Sequence, residues 1–404
     1  MKLIIIDYFL VICNDILKPK RIEQNRSSKY SIMKLPKLVI KGFHLGGCII
    51  QGGMGVGVSL APLAGAVSKE GGLGVVSSAG LRTIVSLREG RNMNTYTAVR
   101  MELERAKDSS GGRPVAINIM CALIGTYNDT VRASIDAEVG AIISGAGLPL
   151  GLPGIMQPRN TALVPIISSA RALEIIIKRW ERLSYRPDAV VLEGPLAGGH
   201  LGFKMKEVDD SDFTLEKLLP PVLGVAHQHG DFPVIVAGGI YAHEDICKFL
   251  AMGASGVQMG TRFLATHESS ATAEYKQAVV DAREDDIIVV AYPDKTPASP
   301  CGLPFRILKG SPSYSKKRQP RCDRGYVLQR GPEGKPSVCQ AMPGSANSDK
   351  FFCLCNTLLA SAGWAPTELP LYTVGSNAYR VDKILSVAEL MKELCGEYAR
   401  ISSE

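Results

Sequence analysis

Short apolar runs bounded by glycine, proline or polar residues recur along this chain. Eight of them stand out: 48–51 (CIIQ), 73–77 (LGVVS), 115–120 (VAINIM), 141–144 (AIIS), 163–167 (LVPII), 189–193 (AVVLE), 234–239 (VIVAGG) and 256–260 (GVQMG). They are rich in Val and Ile and nearly continuous in their apolar character, which predicts strands buried on both faces of a parallel sheet. Between most of them lies a stretch with helical spacing, at 60–72, 170–183 and 242–254. In the last, Ile246, Phe249 and Leu250 recur at i, i+3 and i+4 and face the sheet. Eight strands alternating with helices predict an α/β fold, a (β/α)8 TIM barrel. A doubly wound sheet would place G-x-G-x-x-G at its first turn, and the GGMGVGV run at 52–58 has its glycines in another register.

Function in such a barrel belongs to the carboxyl ends of the strands. There the chain reads QGGMGVG, INIM, SGAGLP, EGPLAGGH, AGGI and QMGTRF. Small residues in all these turns let backbone N–H groups approach a flat ring or an anion. The seventh and eighth turns (AGGI, MGTRF) occupy the position where barrels commonly bind phosphate. His200 stands at the end of the sixth strand among four glycines. An imidazole there can take or give a proton near neutral pH, and Glu193 on the same strand end either tunes it or orients a neighbouring loop.

Composition narrows the class without changing the fold. With 46% hydrophobic and 21% charged residues, the chain can build a large core. The net charge of +7 is dispersed, and its densest cluster, KKRQPR at 316–321, lacks interleaved aromatics, so it reads as a solvated loop and nucleic acid is not an expected partner. No run reaches the roughly 18 apolar residues of a spanning helix, so no membrane is expected. The first residues imitate a secretory segment, but Asp7 interrupts it and no small-x-small site follows. The expectation is an N-terminal extension over 1–33, a barrel over 34–306 and a cysteine-bearing excursion with C-terminal helices packed on the barrel over 307–404. The expected location is the cytoplasm, with reduced thiols.

Taken together and in order, these motifs over about 37–306 resemble the nitronate monooxygenase family, formerly the 2-nitropropane dioxygenases. The flavin-dependent enoyl-acyl-carrier-protein reductases share the same barrel. The resemblance implies a non-covalent FMN cofactor and oxidation of alkyl nitronates, or a related carbon acid, by O2. It implies flavin contacts from Gly53, Met54 and Asn118, a phosphate hold by Gly238, Gly239, Gln258, Met259, Gly260 and Thr261, and an active-site role for His200 as base or substrate-orienting group. One departure is visible: where many members carry a flavin-contacting glutamine in a VPQV-like segment, the nearest stretch here, LLPPV, has Pro221. Two alternatives stay open, an FMN-dependent enoyl reductase using NAD(P)H and a flavin-binding accessory protein without turnover. A homodimer is compatible with either.

The remaining candidates carry less. His227 and His229 form an i, i+2 pair that a helix turns to different faces, and His44, His243 and His267 stand alone. Cys301, Cys322, Cys339, Cys353 and Cys355 lack a C-x2-C spacing, so buried thiols or a disulfide rank ahead of a metal, and no metal is expected. The stretch 381–398 predicts an amphipathic terminal helix with Val381, Ile384, Leu385, Ala388 and Met391 on one face.

Overall fold

The computed structural model describes residues 34–291, 299, 303–315 and 354–397. The expected N-terminal extension over 1–33 lies outside the described residues, as do Cys301, Cys322, Cys339 and Cys353.

Eight parallel strands form the barrel: β1 (Ile49–Gln51), β2 (Gly74–Ser77), β3 (Val115–Met120), β4 (Ala141–Gly145), β5 (Ala162–Ile167), β6 (Val190–Glu193), β7 (Val234–Ala237) and β8 (Gly256–Met259). Strands β2 to β8 pair in sequence order, and β8 pairs with β1 in the register Val257 to Ile49. A parallel bridge between Ile50 and Leu73 brings β1 to β2 and completes the ring. The predicted strands are therefore all present. Their apolar runs are buried on both sides, Ile50, Val75, Ile117, Ile142, Val190 and Ile235 among them, as expected where helices cover the outside and side chains fill the inside.

The three predicted helices form as α1 (Ala61–Lys69), α5 (Ala170–Glu181) and α7 (His243–Ala251). Between α1 and α5 lie α2 (Leu81–Arg88), α3 (Thr95–Ser109) and α4 (Ile124–Asp136). The fully buried Glu102 of α3 accepts from the Ala61 N–H at 2.7 Å and from Arg88 Nη1 at 2.6 Å. It thus satisfies an orphan amide at the α1 amino terminus, where a negative charge is favoured.

One departure is explained and one expectation is corrected. LLPPV lies inside α6 (Leu215–Gln228) on the barrel's outer layer, with Pro220 and Pro221 within the helix, so it cannot stand in for a strand-end flavin contact. The terminal helix is shorter than its apolar spacing suggested. Ser386 accepts from the Glu389 N–H while Glu389 accepts from the Ser386 N–H, a capping box that starts α9 (Val387–Leu394). Its buried face is Val387, Leu390, Met391 and Leu394, and Val381, Ile384 and Leu385 precede the helix.

Beyond the barrel, β9 (Ile287–Val290) and β10 (Phe305–Leu308) form an antiparallel ribbon, and β10 also pairs with the two-residue strand Gly199–His200. The helix α8 (Leu354–Ser361) is buried along its whole length. The chain after it runs beside β10, where Leu308 N–H donates to Tyr372 O at 2.9 Å and Ile307 bridges Thr373. These segments cover the carboxyl-terminal mouth of the barrel.

Candidate active site

A cavity of about 670 Å³ opens at the carboxyl ends of the strands, and its lining includes every residue that the family resemblance pointed to: His200, Gly53, Met54, Asn118, Gly238, Gly239, Gln258, Met259, Gly260 and Thr261. Residues more than 200 positions apart thus meet in one place, because each sits in the carboxyl-terminal half of a barrel strand or in the loop that follows it.

One end is made of backbone. Gly53 cannot carry a side chain, since a Cβ there would lie 2.3 Å from the Asn118 Cβ. The loop around it is pinned by Ser59, whose Oγ accepts from the Met54 N–H and from Gln51 Nε2, both at 2.9 Å. Asn118 Nδ2 donates to Ile143 O at 3.2 Å, which leaves its Oδ1 as the acceptor for a ligand. After β7, Gly238 and Gly239 adopt φ of +96° and +80°, a conformation L-residues with side chains rarely take. Gly238 also approaches the Ala197 and Gly194 backbone so closely that a Cβ would lie 3.0 Å from each. Arg262, the only basic residue of the MGTRF turn, does not serve the cavity: it is buried, bonds Glu393 at 2.6 Å and packs over the Tyr241 ring.

The other end is made of side chains. His200 is held by its own strand against β10, with its ring edge-on to Phe305 at 4.6 Å between centroids and Nε2 3.4 Å from Ser299 Oγ. The loop before it, 194–198, is fixed by Arg306, which is 4% exposed and donates through Nη1 to Pro195 O at 2.7 Å and to Ala197 O at 2.5 Å. Burial lifts the Glu193 carboxyl to about 7, an effect the neighbouring His200 opposes. A carboxyl raised to about 7 and an imidazole that line one cavity can exchange a proton with a bound molecule. Apolar walls from Met120, Ile166, Phe203 and Leu358 surround this pair, and Lys204 and Glu207 stand at its rim.

Several lining residues escaped the sequence reading. Phe305, Cys355, Leu358 and the stretch 373–377 all arrive from beyond residue 300. Cys355 and Leu358 come from α8, Phe305 from β10 and the rest from the chain that follows α8. The other histidines stay outside the cavity: His227 and His229 are paired with Asp231 and Glu181, and His243 bonds Leu394 O and Cys247. Among the described residues, no three His, Cys, Asp or Glu side chains are placed to hold a metal, and no helix is long and apolar enough to cross a membrane.

Residues 38–299 match the family model for nitronate monooxygenase. A probable nitronate monooxygenase of Bacillus subtilis (strain 168) is 29% identical over 264 residues, which cover 61% of this chain and 74% of that protein. One of Staphylococcus aureus (strain Newman) is 27% identical over 261 residues, 60% of this chain and 71% of that protein. Among solved structures, FabK from Thermotoga maritima superposes with a TM-score of 0.64 at 23% identity, covering 89% of this chain and 94% of that one. Nitroalkane oxidase from Streptomyces ansochromogenes does so with a TM-score of 0.61 at 22% identity, covering 89% and 97%. At these identities the two structures speak for the fold.

Proposed function

Since the chain belongs to the nitronate monooxygenase family, an oxidoreductase family, we propose that it binds FMN in the cavity and oxidises alkyl nitronates with O2. The observation that carries this reading is the convergence of His200 and Glu193 with the glycine-lined end in one cavity of about 670 Å³. The residues present suit a flavin mononucleotide. Gly53 and Asn118 offer a side-chain-free surface and an amide acceptor for the ring, and Gly238, Gly239, Gly260 and Thr261 offer backbone N–H groups for its tail. Two polar atoms at the cavity, Gln258 Oε1 and Asn377 Nδ2, are buried without a protein partner, as atoms that serve a ligand would be.

Bound flavin would supply the electron-accepting centre that the nitronate reduces and O2 reoxidises. His200 would meet the nitro end of the substrate. Toward a nitronate its Nε2–H donates to an oxygen of the group; toward a neutral nitroalkane the same nitrogen, unprotonated, takes the α-proton. The edge-on Phe305 and the strand pairing of Gly199–His200 keep the ring from turning away. Glu193, ionised as the pH rises through about 7, can take from His200 the proton that the imidazole has removed from a nitroalkane, and pass it to solvent between turnovers. The walls around them exclude water and accept the alkyl part of the substrate.

Anaerobic mixing with ethylnitronate tests this. The yellow flavin should bleach, and admitting air should restore it. Rapid bleaching by NADH with indifference to nitronate would transfer the reading to the enoyl reductases. In His200→Asn the flavin should stay bound while turnover falls by about 10²–10⁴-fold, the usual share of a positioned proton carrier. An unchanged rate in that variant would remove His200 from the reaction.

A further inference from the structure

The glycine-lined end of the cavity has a second wall that the family model does not cover, the stretch 373–377. Gly375 N–H donates to Thr261 Oγ1 at 2.8 Å, and Ser376 N–H donates to Leu196 O at 3.1 Å. Leu196 in turn packs on Gly239, where a Cβ would lie 2.9 Å from Leu196 Cδ1. The segment is therefore bracketed between the turn after β8 and the loop after β6 that packs on the turn after β7, beside the two turns where a barrel holds phosphate. Gly198 admits no side chain, because its Cβ would lie 2.5 Å from the Val374 carbonyl carbon, so the two loops meet backbone to backbone.

Asn377 follows directly. Its Nδ2 is buried, lines the cavity and has no hydrogen-bond partner. An amide NH2 can only donate, so the partner it calls for is an acceptor. Gln258, 8% exposed on the facing strand β8, has the converse need, since its buried Oε1 can only accept. A carbonyl oxygen does not bind a phosphate dianion, so Gln258 suits a ligand O–H or N–H and Asn377 suits the anion. No cation competes with Asn377 for that anion. Among the described residues lining the cavity, Lys204 is the sole Lys or Arg, and it stands near Glu207 at the other end.

We infer that Asn377, supplied from outside the family-matched barrel, donates its side-chain NH2 to the terminal phosphate of the bound flavin mononucleotide, while Gln258 accepts from a hydroxyl or N–H of the same molecule. This rests on the flavin reading above. The cradle is thus neutral, built from glycine amides and one carboxamide, and is complete only when the C-terminal segment has folded over the mouth.

Flavin-stripped full-length protein titrated with FMN and with riboflavin, followed by quenching of flavin fluorescence, tests the assignment. Riboflavin carries the same ring and ribityl chain without the phosphate. Asn377→Ala should weaken FMN about tenfold or more, as expected for a lost hydrogen bond to a charged acceptor, and leave riboflavin within about twofold. Asn377→Asp should weaken FMN further by like-charge repulsion. Asn377→Ser, which keeps a short donor, should fall between wild type and Asn377→Ala, and carries the comparison should Asn377→Asp unfold. Equal losses for both ligands, or unchanged FMN binding, would overturn the inference. Wild-type protein that binds neither ligand would instead overturn the flavin reading itself.

Discussion

The two ends of the cavity are built by opposite means. At the Gly238–Gly239 end, binding surface is made by leaving side chains out: positive φ and close backbone approaches expose N–H groups, and nothing titrates. At the His200 end, everything depends on side chains delivered from distant sequence and locked by packing: Phe305 against the imidazole, and Arg306 across the loop that leads to it. The first end tolerates no added atoms and the second tolerates no lost partners. A ligand with an inert anionic tail and a reactive ring would use this asymmetry, tail at the glycines and chemistry at the imidazole.

The contrast can be broken hardest at the glycine end. In Gly53→Ala the new methyl would fall 2.3 Å from the Asn118 Cβ, a distance no packing accepts, so either the β1 loop or Asn118 must move out of the ring's place. Flavin affinity should drop by about 100-fold or more, of the order of 3 kcal/mol, with the fold retained because the displacement is confined to the carboxyl-terminal mouth of the barrel. Flavin content after purification reads this directly, and a fully loaded yellow variant would refute it. At the other end the matching change is a deletion. Arg306→Met keeps much of the stem volume but strands the Pro195 and Ala197 carbonyls, the first a buried acceptor that costs about 1–3 kcal/mol when unpaired and the second a half-buried one that costs less. Urea unfolding should show a loss of a few kcal/mol, and His200-dependent turnover should fall with it. Arg306→Lys, which donates from one point instead of a fork, should recover only part of either.

This asymmetry also explains what could be read from the sequence. The glycine end was legible because its information is local: each turn follows a strand whose apolar run is recognisable, and a glycine needed for positive φ is visible as a glycine. His200 was legible for the same reason, as a residue in the glycine-rich stretch past a strand end, whereas Met54 and Asn118 were named through the family resemblance. The partners at the imidazole end were not. Nothing near Arg306 in the sequence says that it reaches back more than 100 residues to two carbonyls, and PFRIL reads only as another short apolar run. Asn377 lies in a stretch with no periodicity at all, and its unpaired donor faces the cavity only once Gly375 has docked on Thr261. The terminal helix failed for a different reason. Apolar spacing runs on through Val381 to Leu385, but Ser386 and Glu389 form a box that fixes the start, and local capping outranked the longer pattern.

The smallest expected effect is the most specific to the imidazole end, because it follows the titration of Glu193. Its carboxyl sits at about 7 in the fold against 4.5 in a solvated chain, chiefly because burial disfavours the charged form. The folded state therefore holds this proton more tightly than the unfolded state. Its contribution to stability is fully present below pH 4.5 and is lost as the pH rises through about 7, up to roughly 3 kcal/mol at 1.36 kcal/mol per unit. Glu193→Gln carries a neutral amide of the same shape and has no such loss. Relative to wild type it should gain stability progressively from pH 5 to pH 8, seen as a widening gap between urea midpoints. His200 opposes the burial effect on Glu193, so in the His200→Asn background the carboxylate loses that help and the gap should widen further. Parallel midpoint curves across this window would mean that water already reaches the carboxylate and that burial does not hold its proton.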